Sequence, residues 1–569
     1  MGFVSSIIDR VRYGKANALV SSGRAYDAGR YDTREMLSWT PNLTSGVDEV
    51  LDSRDLVVRR SRDLVRNHPI IAGATDRRAE SVVGTNIRPE LQPAFEIMGQ
   101  DPDWADEWSS NTEDHFELWS RDPRFLCDAE MQLQFGGMVE MAYRHWWNDG
   151  ECAVMIKMLP PTGPRVGALW ETCLHVIDPD RISNPRNLPD YTVTSRGRTL
   201  IGGIEYDRNN APVAAHVRVS HPAGRTGGLT NQFEWRRVPY YGPTGRPIFV
   251  HAFRRKRADQ RRGISQFVAA IKRIKMFDRY DDAEIEAALL NAVMAGWIES
   301  PAPTSDIAEA LAPGSSGDSE EFNLKTQMEY RMNNPVRVAG VRMFHGLPGE
   351  KMGFHRAERP SANYPDFQAT GLRSIAASLG LSYAQVSSNW ADINYSSARA
   401  MLNEIWRGLL QDRWLFTQAF CTKVYLAWLE ESVARGIIPM PGSKASFYKW
   451  RNALSLVEWM GPGRGTVDPL KEAQANDYEL NQGTTDLGTI SSERGRDYRK
   501  TLFNQSRQAK YRVKLGMVPF TPLKGGASSG NDGGDSGSAS GTEADRDGDG
   551  KPHEGRGKQG RKQTEEADA

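Results

Sequence analysis

The stretch KRIKMFDRYDDAEIE, residues 272–286, constrains the fold more than any other part of this chain. It lies inside a helical pattern running from about Ile264 to Met294. Ile264, Phe267, Val268 and Ile271 form an apolar stripe there, and the alanine-rich AEIEAALLNAVMA follows. The middle of this helix is polar around most of its circumference. Such a helix gains little by lying alone in water, but it is stable among several helical neighbours. The pattern therefore predicts a helix in a bundle or ring rather than one resting on a sheet.

The rest of the chain supplies a mixed body around it. At 569 residues there is room for three or four domains of ~100–200 residues each. Residues 1–45 are polar and mixed, as in an arm. Their first residues, MGFVSSIIDRV, read as a short amphipathic helix using Phe3, Ile7, Ile8 and Val11, and formally match an acylation pattern through Gly2 and Ser6. From Val47, apolar residues at Val50, Leu51, Leu56, Val57, Leu64, Val65 and Ile70 predict a helical hairpin broken around Asn67-His68-Pro69. Between Gly84 and His251 the texture changes. ECAVMIKML, CLHVIDPDRI, IGGIEYD, APVAAHVRV and PIFVHAF are short β-type runs separated by Gly, Pro and Asn.

Beyond the polar helix, residues 299–321 are rich in Pro, Ser and Gly and predict a solvent-exposed excursion, followed by strand-like pieces such as PVRVAGVRMF. Helical character returns at about Tyr364. A second long helix is predicted from Ser396 to about Glu431, and more helix from Pro469 to about Lys514. After Phe520 the chain has no aromatic residue, and its Gly/Ser/Asp-rich tail cannot bury enough to order itself. The fold class is α+β, mainly helical.

Charge and cysteine usage exclude several classes. Lys and Arg number 72 against 72 Asp and Glu, so this is not a generally basic nucleic-acid coat. Cys127, Cys152, Cys173 and Cys421 are widely spaced with no CxxC pair, which fits buried free thiols better than a disulfide framework or zinc site. No apolar run reaches the ~18 residues of a membrane span. No G-x-x-x-x-G-K-[ST], HExxH or G-x-S-x-G occurs, and no two histidines stand at i, i+3 or i+4. No catalytic residue, metal site or cofactor is expected.

Three constellations remain open. Asp101, Asp103, Asp106, Glu107, Glu113, Asp114, His115 and Glu117 crowd one helical segment. They suit either a metal-dependent DNA-processing enzyme or a solvated face with Trp104, Trp108, Phe116 and Trp119 turned inward. Asp545, Asp547, Asp549 and Gly550 begin like a calcium loop, but Arg556 stands where the bidentate Glu belongs. Arg254, Arg255, Lys256, Arg257, Arg261 and Arg262 form a basic run that suits phosphate or carboxylate partners equally.

Several segments, taken in order, resemble the lambda-like portal proteins of tailed phages. They are CDAEMQLQFGGMVEMAYRHWWNDGECAVMI, CLHVIDPDRISNP, GGIEYDRNNAPVAAHVRV, VPYYGPTGRPIFVHAFRRKRADQRRGIS, LGLSYAQVSSNWADINYSSARAMLNEIWRGL and WRNALSLVEWMGPGRGTVDPLKEAQAN. The resemblance implies a ring oligomer, a dodecamer, with an axial channel for double-stranded DNA. It implies as partners the terminase large subunit, the major capsid protein and scaffold, and head-completion or adaptor proteins, in the virion and with no membrane. It implies an arm at 1–45, a wing at 46–260, a first stem helix at 261–295 and a clip at 296–360. A second stem helix would follow at 361–383, a tunnel loop at 384–397, a long kinked helix with wing return at 398–469, a crown at 470–520 and a disordered tail at 521–569.

On that resemblance Asn389, Trp390, Asn394, Tyr395 and Ser396, with Arg399 nearby, are candidate channel residues. No Lys or Arg lies between Ser387 and Ser397. A channel that lets a polyanion slide should not grip it, since each neutralised phosphate adds salt-dependent affinity with a slope of ~0.9. The plainer reading is an interhelical connector in which Ser396 or Ser397 caps the next helix. On the stem, Asp278, Asp281, Asp282, Glu284 and Glu286 suit a channel wall or pairing with Lys272, Arg273 and Lys275 of an adjacent copy. An oligomeric scaffold that never touches DNA is the remaining alternative.

Overall fold

The computed structural model describes residues 28, 36 and 38–518, apart from 225–232, 294–296, 300–350, 354–363, 391–394 and 466–467. At 290–293, 297–299, 351–353 and 395 it describes the backbone alone. The chain divides into two units, Met1–Leu502 and Phe503–Ala569. The expected acylation pattern, most of the clip and the Asp-rich tail lie outside the described residues.

Helices α1, Gly46–Asn67, and α2, Pro69–Val82, form the predicted pair. Ser45 caps α1 by accepting from the Asp48 N–H at 3.0 Å. Pro69 has no N–H to continue the helix, so the break falls at His68, with φ −100° and ψ 113°. Next come α3, Pro102–Ser120, and α4, Phe135–Asn148.

The β-type runs are strands. In chain order they are β1 (Arg88–Leu91), β2 (Glu151–Met158), β3 (Thr172–Ile177), β4 (Thr192–Val193), β5 (Thr199–Ile201), β6 (Ile204–Tyr206), β7 (Pro212–Arg218), β8 (Trp235–Pro239), β9 (Phe249–Phe253), β10 (Trp297–Glu299), β11 (Lys351–Gly353) and β12 (Val457–Met460). They pair antiparallel as β3-β2-β9, β4-β5-β6-β7-β8, β1-β12 and β10-β11. β2 explains its own continuous apolar sequence. Cys152, Val154 and Ile156 enter a large core built on the helices, while Ala153 and Met155 enter a second core under the five-stranded sheet. A strand that walls two cores needs apolar residues on both faces. The large core is aromatic: Phe116 has Trp428, Phe135 and Trp459 within ring-centroid distances of 5.1, 5.4 and 6.0 Å. All four cysteines are buried and free.

The remaining helices are α5 (Val268–Val293), α6 (Tyr364–Leu379), α7 (Tyr383–Ser387), α8 (Tyr395–Ala419), α9 (Cys421–Arg435), α10 (Ser446–Leu454), α11 (Pro469–Asn481), α12 (Leu487–Glu493) and α13 (Tyr498–Lys514). One expectation changes. α5 starts at Val268 rather than near Ile264, because residues 263–266 are pinned to the end of α4. Gly150, at φ +91°, meets Ile264 so closely that a Cβ would lie 2.1 Å from its carbonyl carbon, and Gln266 N–H donates to Trp147 O at 3.1 Å. The second long helix bends at Phe420 into α8 and α9, in keeping with a kinked helix, and the helical region from Pro469 consists of α11, α12 and α13.

The basic run is absorbed into the body. Arg262 donates through Nε to both oxygens of Glu151 at 3.0 Å, and Arg54 Nη2 reaches the same carboxylate at 2.7 Å. His251 Nε2 and the Gly263 N–H complete the shell at 3.0 and 2.8 Å. Glu151 is fully buried, and the two guanidinium groups hold its carboxyl well below the usual range against the cost of burial. Arg254 pairs with Asp412 at 2.8 Å, Arg257 with Glu49, and Arg261 lies over the Tyr206 ring. Carboxylates and a ring inside the chain, not phosphate, take these four arginines. Arg255, Lys256 and Arg257 remain at the surface, where Arg257 keeps its exposed pair with Glu49.

Candidate nucleic-acid interface

Helices α5 and α6 pack along one aromatic seam. Phe367 lies 4.6 Å from the Tyr280 ring and 6.3 Å from Phe277, and Tyr280 faces Tyr364 at 6.1 Å. Gly371 lets α6 approach, since a Cβ there would sit 2.4 Å from the Phe277 ring. Below the seam Ile274, Ile375 and Leu379 are buried. Only one stripe of α5 is covered, so the predicted polar circumference is real.

The charges on α5 separate by position. Glu284 is buried, Asp278 and Asp281 are half-buried, and Lys272, Arg273, Lys275, Asp282 and Glu286 are exposed. The Tyr364 hydroxyl donates to Asp281 at 3.0 Å. Burial and this carboxylate together push that hydroxyl up to about 12. Lys275 pairs with Asp278 of its own helix at 2.7 Å. Exposed apolar residues flank these charges: Met276, Ile285 and Leu289.

α6 ends at Gly380, whose φ of +63° reverses the chain. Ser382 and Gln385 then form a reciprocal capping box that starts α7. Ser387 Oγ donates to Tyr383 O at 2.8 Å and accepts from the Asn389 N–H at 3.2 Å. Part of the polar composition thus builds the turn itself. Asn389 and Trp390 are exposed, Trp390 at 48 %. Asn394 lies outside the described residues, and of Tyr395 only the backbone is described. α8 opens at Tyr395, so Ser396 and Ser397 stand inside its first turn. Ser396 and Arg399 are exposed.

The anchors of this turn were missed in the sequence. Arg77 donates to Ser388 Oγ. Arg78 donates to Gly380 O at 3.0 Å and pairs with Asp412 on α8, which also takes Arg254. The adjacent arginines in TDRRAE were the available signal: two cations where the hairpin pattern needs apolar contact.

The acidic segment is dispersed over other tasks. Asp101 caps α3 by accepting from Trp104 N–H at 2.6 Å, and Glu113 accepts from Leu91 N–H at 2.9 Å. Asp106 pairs with Arg499 at 2.8 Å, and Lys500 reaches Glu117 and Asp114 at 2.8 and 3.1 Å. Trp108, Phe116 and Trp119 face the core. Among the described residues, the group with metal-ligand proximity is Asp178, Asp180 and His221. Arg62 already occupies it, at 3.0 and 2.8 Å from the two aspartates. His221 Nδ1 accepts from Ala223 N–H, which puts the ring proton on Nε2 facing the carboxylates.

Residues 32–413 match the family of phage portal proteins of the lambda type. The chain belongs to the lambda-family phage portal proteins. It is 28 % identical over 489 residues to portal protein B of Escherichia phage lambda, covering 85 % of this chain and 89 % of that one. It is 27 % identical over 491 residues to the portal protein of Escherichia phage N15, with the same coverage. A probable portal protein of Halomonas phage phiHAP-1 is 24 % identical over 500 residues, 86 % of each chain. Among solved structures, it resembles the neck of a native gene transfer agent particle computed with C12 symmetry, with TM-score 0.38 and 14 % identity over 83 % of this chain and 100 % of that one. The neck of an empty particle gives TM-score 0.41 and 13 % identity over 82 % and 94 %. This portal protein is a structural component of the tailed-phage virion, a head-tail connector with an α+β, mainly helical portal fold. No helix among its described residues is long and apolar enough to cross a membrane.

Proposed function

We propose that twelve copies of this chain close side by side into a ring around an axial channel at one capsid vertex. Double-stranded DNA enters the head through the channel under the action of the terminase large subunit and leaves through it into the tail. The major capsid protein and scaffold surround the ring, head-completion or adaptor proteins dock on it, and the ring itself performs no catalysis. The family match across most of the chain carries this reading.

In this reading residues 46–260 are the wing, 261–295 and 361–383 the stem, 296–360 the clip, 398–469 the long helix with its wing return and 470–520 the crown. The loop at 384–397 meets DNA through Asn389, Trp390, Asn394, Tyr395 and Ser396, with Arg399 just behind. The exposure of Trp390 and the lack of any Lys or Arg from Ser387 to Ser397 support a lining that touches duplex without holding it. The exposed Lys272, Arg273, Asp282 and Glu286 are left for the neighbouring copy or the channel wall.

Negative-stain images of the purified protein test the ring. A closed ring with a hole wide enough for duplex DNA is expected. A hole too narrow for it, or unaided nucleotide hydrolysis, overturns the reading. Replacing residues 389–395 by a Gly/Ser linker tests the loop, and unchanged DNA retention in packaging assays would reduce it to a connector.

A further inference from the structure

The first turn of α13 is fastened over a set of carboxyl groups that the portal reading does not use. Arg499 and Lys500 grip α3 through the ion pairs with Asp106, Asp114 and Glu117, and Arg499 stands 3.9 Å from Glu113. Beneath them Glu113 is 4 % exposed and Glu90, on β1, is 7 % exposed. The β1–β12 register sets Glu90 directly opposite Glu458, a like-charge pair that destabilises a ladder when both are ionised. Asp497, 8 % exposed, faces the same space and caps α13 by accepting from Lys500 N–H at 3.1 Å. A cavity of about 20 Å³ between Glu113, Asp497, Lys500 and Met460 is large enough for one water.

The charges around this set do not balance. Glu90 meets Asp497, Glu458 and Asp486, the cap of α12, against Arg499. Glu113 meets Asp497 against Arg499 and Lys500, and Arg88 and Arg121 act on Glu117 at the rim. Burial pushes Glu90 up to about 7 and Glu113 up to about 8, with the neighbouring carboxylates adding to both. Arg499 and Lys500 offset part of this charge, and protons on the two buried carboxyls offset the rest.

We propose that the first turn of α13 is a proton-dependent clasp, closed while Glu90 and Glu113 are neutral and loosened when they ionise. Opening returns both carboxyls to water and to their ordinary range of about 4.3, so it releases protons. The open population therefore grows with pH, by up to about tenfold per unit for each proton released, and levels off above about pH 8.

Hydrogen exchange on the full-length protein tests this, with peptides covering residues 487–502 compared with α9 as an internal reference. Between about pH 6 and about pH 9, after correction for intrinsic rates, opening of 487–502 should rise at least about tenfold relative to α9. In Glu90→Gln/Glu113→Gln the two should move together. Should that variant fail to fold, Glu458→Gln changes only an exposed side chain and should make the response smaller and end at lower pH. A wild-type segment that tracks α9, or a variant that keeps the full wild-type response, overturns the proposal.

Discussion

Arg262 and Glu151 meet inside the body with the arginine Nε equidistant, at 3.0 Å, from both carboxylate oxygens. Glu151 opens β2, the strand shared by two cores, and Arg262 stands just before α5, so this contact joins the sheet body to the lead-in of that helix. Arg54 on α1 makes it a three-element joint.

Removing the carboxylate strands two buried guanidinium groups. Glu151→Ala should therefore cost about 3–5 kcal/mol. The check is the urea unfolding midpoint of the purified protein, with Asp52→Ala, an exposed position on the same helix α1, expected to stay within about 0.5 kcal/mol of wild type.

The same joint should fail in acid. Glu151 and Asp178 are both held below their ordinary ranges. Groups with depressed folded values stabilise above the unfolded pKa, and that stability is lost as pH falls. Thermal midpoints should drop steeply below about pH 4.5, and Glu151→Gln should flatten the slope there while lowering the plateau at neutral pH.

Gly371 tests the stem seam. Alanine is the better helix former by about 1 kcal/mol, yet Gly371→Ala should destabilise because its Cβ meets the Phe277 ring. Adding Phe277→Leu should recover the loss. A double-mutant cycle in thermal unfolding measures the coupling, and additive effects would contradict the contact.

Trp390 tests the proposed DNA contact apart from folding. Its exposure predicts that Trp390→Ala changes stability by less than about 0.5 kcal/mol. Trp390→Lys should make DNA passage salt-dependent, with a slope of about 0.9 for each phosphate engaged. Packaging rates measured across a salt series report both variants, and a flat series for the lysine variant would remove this position from the channel wall.

Local chemistry was readable along the chain, and distant partners were not. Pro69 announced the α1–α2 break, and the apolar run ECAVMIKML announced a strand, though not that it would wall two cores. The start of α5 was misplaced because Gly150 and Ile264 are far apart in sequence and touch only after folding. The basic run showed its charge but not its destinations, since Glu49, Glu151 and Asp412 come from three separate regions. Nothing at Phe420 resembles a helix breaker, so the bend there had no local sign. In the candidate loop the sequence exposed the missing cations, while the two arginines that tether the turn lay some three hundred residues upstream.

Those tethers leave the Ser387–Trp390 turn no independent footing. Its near end hangs from Arg77 and the foot of α6 hangs from Arg78, consecutive residues of one helix, and Arg78 also grips α8 through Asp412. A sideways load on the Trp390 ring is therefore delivered to α2 and α8 together. Whatever jostles this turn is felt by the whole scaffold behind it, as a tug on a bell-rope is felt at the beam.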